Sequence, residues 1–102
     1  MPDKVRVCGI SELQPGDKIA IETKGVSILV VNVDGKFYAV SNICTHEYAE
    51  LVNGIIIDDE ITCPLHLSRF KLASGEVLNP PATEPLRTYK VVLDWKDIFV
   101  EI

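Results

Sequence analysis

Branched apolar residues alternate with polar ones from Asp17 to Asn42, in DKIAIETKGVSILVVNVDGKFYAVSN, and the alternation breaks twice, at Lys24-Gly25 and at Asp34-Gly35. A period of two marks a strand with one wet and one dry face, and both dipeptides suit the positive φ angles of tight hairpin turns. The segment predicts three short antiparallel strands. GIIIDDEITC predicts a further hairpin with Asp58-Asp59 at its tip, delivering Cys63 directly off the end of a strand. PLRTYKVVLDWKDIFVEI predicts a closing strand pair that turns around Asp94 to Asp97, and VRVCG near the N-terminus also reads as strand. Only ISELQPGD hints at a helix, which Pro15-Gly16 stops after about one turn. The expected fold is all-β, a small antiparallel sandwich or barrel.

Two stretches break the strand pattern, CTHEYAELVNG and CPLHLSRFKLASGEVLNPPATEP, and they hold both histidines and two of the three cysteines. Loops carried on a rigid sheet are where binding chemistry concentrates, so function is expected there. Neither an internal repeat nor a linker interrupts the chain. Asn79-Pro80-Pro81-Ala82 reads as a stiff loop inside the fold, because residues 86 to 102 still follow the strand pattern. One domain over residues 1–102 is expected.

Composition narrows the function classes. A chain of 102 residues with 47% apolar and 25% charged side chains is the size and make-up of one globular core. Fifteen Asp and Glu against ten Lys and Arg leave a formal charge of -5, which repels nucleic acid and anionic lipid and suits a partner with a basic face. The N-terminus MPDKVRVCGISELQPGD lacks the apolar stretch of a signal peptide, and the longest apolar runs fall far short of the ~20 residues of a membrane span. These features point to the cytoplasm, with no membrane anchor. Cys8, Cys44 and Cys63 are too few for a disulfide scaffold, and a reducing compartment favours thiolates that bind metal.

Cys44-Thr45-His46 and Cys63-Pro64-Leu65-His66 place one thiolate and one imidazole in each of two loops, with sixteen residues between His46 and Cys63. Zinc accepts both ligand types, although zinc knuckles usually pair Cys with Cys and His with His. A binuclear iron-sulfur cluster accounts better for the alternation: with the loops approaching from opposite sides, both cysteines can hold one iron and both histidines the other.

The two motifs and their spacing resemble the Rieske [2Fe-2S] family, whose pattern is Cys-x-His and Cys-x-x-His separated by roughly sixteen or seventeen residues. The resemblance extends to the Asp58-Asp59 hairpin between the motifs, to FKLASGEVLNPPA as the loop that covers the cluster in that family, and to the closing strand pair. It implies a two-loop cluster-binding subdomain at about residues 42–82. It also implies one [2Fe-2S] cluster held by Cys44, His46, Cys63 and His66, with Ser68 as a hydrogen-bond donor to a bridging sulfide. Where the quinol-oxidising members carry a disulfide clamping the two loops, this chain has Ala49 and Leu65. Terminal oxygenases of the family need two further histidines for a mononuclear iron, and this chain has two histidines in total.

What the resemblance leaves is a free-standing ferredoxin, similar to those of bacterial aromatic-ring-hydroxylating dioxygenase systems. Such a protein is an electron carrier and not an enzyme. It would act as a monomer, taking an electron from a flavin-containing ferredoxin reductase and passing it to a terminal oxygenase in aromatic hydrocarbon catabolism, with both partners docking near His46 and His66. An accessory small subunit of an assimilatory nitrite reductase is the alternative. Around the ligands, Tyr48, Leu65, Leu67 and Pro80 suggest an apolar collar, and Glu47, Glu50, Asp58, Asp59 and Glu60 an acidic docking face. Leu67 departs from the glycine that the family more often carries after the second histidine, which puts the geometry of that loop in question. Cys8 and Trp95 read as packing residues without a functional part.

Overall fold

The computed structural model of the chain describes residues 3–45, 48–65, 67–80 and 82–102. Among the described residues, nine strands form two antiparallel sheets. The larger contains β1 (Lys4–Gly9), β2 (Lys18–Thr23), β3 (Val26–Val33), β4 (Lys36–Ser41), β8 (Thr88–Asp94) and β9 (Asp97–Glu101), in the order β1-β9-β8-β4-β3-β2. The smaller contains β5 (Ile55–Ile57), β6 (Glu60–Thr62) and β7 (Arg69–Lys71), in that order.

The predicted hairpins form where the turn chemistry placed them. Lys24-Gly25 and Asp34-Gly35 have positive φ at both central residues, 51° with 80° and 51° with 91°, the geometry whose twist matches the flanking strands. The Gly35 N–H donates to Asn32 Oδ1 (2.8 Å) and closes the second of these turns. ISELQPGD forms a single 3₁₀ turn at Ile10–Glu12. The strand β7 lies inside a stretch whose sequence reads as loop. Its residues Arg69, Phe70 and Lys71 are too few to show a period, and it exists because β6 offers a free edge to pair with.

The larger sheet curls into a nearly closed barrel, so that its two edge strands share one core. Cys8, Ile28, Val30, Ala39, Ile98 and Val100 fill it, flanked by Ile19 and Ile21 of β2. The outer face of β3 and β4 is covered in turn by the small sheet and the loops around it. There Leu29, Val31 and Val40 meet Leu51, Ile61, Phe70 and Leu72 in a second core. Strand β3 is therefore buried on both faces, and Ile28 to Val31 are all at 0% exposure. This explains the uninterrupted run SILVV, which departs from strict alternation because neither face meets water. The second core is the platform on which the candidate site is built.

Candidate metal centre

Cys44 and Cys63 emerge from different sheets and end in the same core. Cys44 follows β4 by three residues and Cys63 follows β6 directly. Their exposures are 3% and 0%, and both side chains belong to the cluster that contains Leu51, Ile61, Phe70, Leu72, Ala82 and Leu86. Cys8 lies in the other core, inside the barrel. Burial pushes its thiol pKa up, Glu12 and Asp97 push the same way, and Arg6 opposes them. A buried, protonated thiol is a small hydrophobe rather than a metal ligand. His46 and His66, with Glu47 of the expected acidic face, lie outside the described residues.

The two cysteine loops are closed in the same way. The Cys44 N–H donates to the Ala49 carbonyl (2.9 Å) and the Cys63 N–H to the Ser68 carbonyl (2.7 Å), so each cysteine opens a loop sealed by the carbonyl five positions on. An isolated bridge between Ile43 and Glu50 continues the first closure. Beneath that loop sits Asn42, fully buried, whose Nδ2 donates to Ser27 Oγ (3.1 Å) and Glu50 Oε1 (3.3 Å) while Oδ1 accepts from the Val52 N–H (2.9 Å). A buried amide pays its desolvation cost only when both its ends are satisfied, and here that requirement ties loop to sheet. Sequence reading passed over Asn42; a lone amide between the end of an alternating strand and the Cys44 motif was the available signal.

Ser68 is buried at 0% exposure, and its Oγ accepts the Ala82 N–H (3.0 Å). Its own hydroxyl proton has no acceptor among the described residues, while its Oγ partner Ala82 belongs to the core that contains both cysteines. A buried hydroxyl with a proton to give, on the residue whose carbonyl closes the Cys63 loop, suits a group rich in acceptor sulfur. The donor set therefore fits an iron-sulfur cluster.

Leu67 has a φ of 62°, in the left-handed region that favours glycine, so this loop keeps a glycine-type turn despite carrying leucine. Leu67 and Tyr48 stand 64% and 80% exposed, with Leu65 at 37% and Pro80 also exposed. The expected collar is thus an apolar rim facing outward more than a shield. Among the described residues, the expected acidic face does not assemble. Glu60 pairs with Arg69 (3.0 Å), Glu50 is held by Asn42, and Asp58-Asp59 sit at the far end of β6 from Cys63.

The family model for the Rieske [2Fe-2S] domain matches residues 3–90. The chain belongs to the Rieske [2Fe-2S] family. It accordingly carries one [2Fe-2S] cluster of the two-Cys, two-His type. The chain is 37% identical over 101 residues to the 3-phenylpropionate/cinnamic acid dioxygenase ferredoxin subunit of Escherichia coli (strain K12), covering 98% of this chain and 94% of that one. The ferredoxin of carbazole 1,9a-dioxygenase from Nocardioides aromaticivorans IC177 superposes with a TM-score of 0.90 at 37% identity, covering 95% of each chain. A chain from a complex of reduced oxygenase and oxidised ferredoxin in carbazole 1,9a-dioxygenase superposes with a TM-score of 0.93 at 31% identity, covering 96% of this chain and 92% of that one. Among the described residues, no helix of this Rieske protein is long and apolar enough to cross a membrane.

Proposed function

We propose that this chain is the ferredoxin of a ring-hydroxylating dioxygenase system, a one-electron carrier between a flavin-containing reductase and a terminal oxygenase. Cys44 and Cys63 hold one iron of the cluster, and His46 and His66 hold the other. Residues 1–102 act as one domain, with the cluster-binding part at about 42–82, and the protein works in the cytoplasm. The observation that carries the reading is the meeting of Cys44 and Cys63 in one buried core while Cys8 is set apart in another. The only two histidines in the chain complete a two-Cys, two-His set and leave none for a separate substrate-oxidising iron.

When bound, the cluster supplies a one-electron couple whose potential lies above that of all-cysteine plant-type ferredoxins, at about -400 mV, because neutral imidazoles replace two thiolates. The protein's part is to bury the thiolates, which lowers the local dielectric, and to offer a hydroxyl proton from Ser68 to the sulfur that gains charge on reduction. Around the loops, Tyr48, Leu65 and Leu67 present apolar surface to solvent, a dry contact for the partner that receives the electron.

The test is reconstitution. The purified chain should contain two irons, show visible absorption, become reduced by NADH through a flavin reductase, and be reoxidised by a ring-hydroxylating oxygenase with product formed. A folded, colourless protein would overturn this reading and favour the accessory-subunit alternative. A coloured protein that no such oxygenase reoxidises would overturn the assignment of partner.

A further inference from the structure

Among the described residues, hydrogen bonds from both cysteine loops converge on a third segment, Asn79–Glu84. From the first loop, Thr45 Oγ1 donates to the Glu84 carbonyl (2.8 Å). On the second loop, the Arg69 N–H donates to Asn79 Oδ1 (2.7 Å), and Asn79 Nδ2 donates to the Leu67 carbonyl (3.2 Å) and to its neighbour's, Pro80 (3.2 Å). Between these ties, the Ala82 N–H donates to Ser68 Oγ, and the Ala82 side chain enters the core shared by Cys44 and Cys63. Thr45 is the residue between Cys44 and His46, and Leu67 directly follows His66.

The segment is suited to bearing load. Its sequence NPPATE has two consecutive prolines, whose rings lock φ and reduce the freedom lost on folding. Its base is closed on both sides. The Leu78 N–H donates to the Arg69 carbonyl, and the Leu86 N–H to the Gly75 carbonyl, each at 2.8 Å. A chain held at its base and crossed by ties to two loops behaves as a strap between them.

We infer that Asn79–Glu84 is a noncovalent clamp that sets the separation of the two ligand loops, with Thr45 and Asn79 as its positioning residues. The inference rests on the ligand set proposed above. A clamp has a property that independent stabilising bonds lack: it works only while both ends are attached. Releasing either end should loosen the site, and releasing the second should then add little. Bonds that act separately would instead add in free energy.

The experiment measures iron release from the reduced holoprotein to an excess of a strong chelator in Thr45→Val, Asn79→Ala and the double variant. Each single variant should release iron roughly three- to ten-fold faster, the range for losing the one tie of Thr45 or the two that Asn79 makes outside its own segment. The double variant should be no more than about twice as fast as the faster single one. Thr45→Ser, which keeps the donor, should return the parental rate and the parental electron paramagnetic resonance g-values, while Thr45→Val shifts those values. Rates that multiply in the double variant, single-variant rates equal to the parent's, or a Thr45→Ser protein that behaves as Thr45→Val would each overturn the clamp. Iron retention in alanine variants of Cys44, His46, Cys63 and His66 tests the ligand set separately, and a parent without iron would overturn both.

Discussion

Replacing Ser68 with alanine removes the bond from the Ala82 N–H and, in the proposed site, a donor to cluster sulfur, with different consequences. The first is structural: the Ala82 N–H loses its acceptor at a site where Ala82 is 3% exposed. Leaving a buried amide without a partner costs about 1–3 kcal/mol, so the midpoint of thermal unfolding should fall by several degrees. The second is electronic. With Oγ occupied by the Ala82 N–H, the hydroxyl proton is the part of Ser68 available to cluster sulfur. Reduction adds one negative charge to the cluster, and a hydrogen bond to a charged acceptor is about twice as strong as one to a neutral acceptor. The donor therefore favours the reduced form by about 1 kcal/mol, which for one electron is roughly 40 mV. Favouring the reduced form raises the potential, so Ser68→Ala should lower it by that amount. Redox titration followed by visible circular dichroism measures the potential, and thermal melts of the oxidised protein measure the first effect. A lower melting temperature with an unchanged potential would refute the electronic argument and leave Ser68 as a staple for Ala82 alone.

Phe70 is fully buried in the core shared by both cysteines, and Phe70→Tyr places a hydroxyl there; redox titration should show a higher potential, with some loss of stability. Leu67→Gly relieves left-handed strain of about 1 kcal/mol, offset by the greater freedom of glycine in the unfolded chain, so urea unfolding should shift little. The same variant loses an exposed apolar contact, so the KM for the terminal oxygenase should rise at constant potential; an unchanged KM would remove Leu67 from the interface. Gly75→Ala sets a Cβ 2.1 Å from the Leu86 carbonyl oxygen at a φ of 76° and should cost about 3 kcal/mol or more in urea unfolding. Alanine at Cys44, His46, Cys63 or His66 should abolish iron retention and visible absorption; parental iron content in any of these variants would strike that residue from the ligand set.

Local chemistry accounts for much of what could be read without a structure. Each hairpin depends on neighbours in the chain: a turn dipeptide that accepts positive φ, flanked by residues whose period exposes one face. Lys24-Gly25, Asp34-Gly35 and Asp58-Asp59 all turn as their sequences require. The cluster motifs were legible for a different reason, since thiolate and imidazole are scarce side chains and their spacing within each loop is set by the reach of a few residues.

Tertiary structure decided the rest, because it depends on which distant segments meet. The burial of β3 on both faces arises from the small sheet lying over the barrel, so SILVV has no alternation to display. Strand β7 forms only against the edge of β6. The separation of Cys8 from Cys44 and Cys63 follows from two cores that composition cannot distinguish. The acidic residues of the expected docking face are close in sequence, yet β6 carries Asp58-Asp59 away from Cys63 while Arg69 and Asn42 engage Glu60 and Glu50. Thr45 meets Glu84 across 39 positions and Ser68 meets Ala82 across 14, and no local rule specifies such partners. Loop ends are brought together by the sheets beneath them, and only then do side chains that are ordinary in sequence become the ties of a metal site.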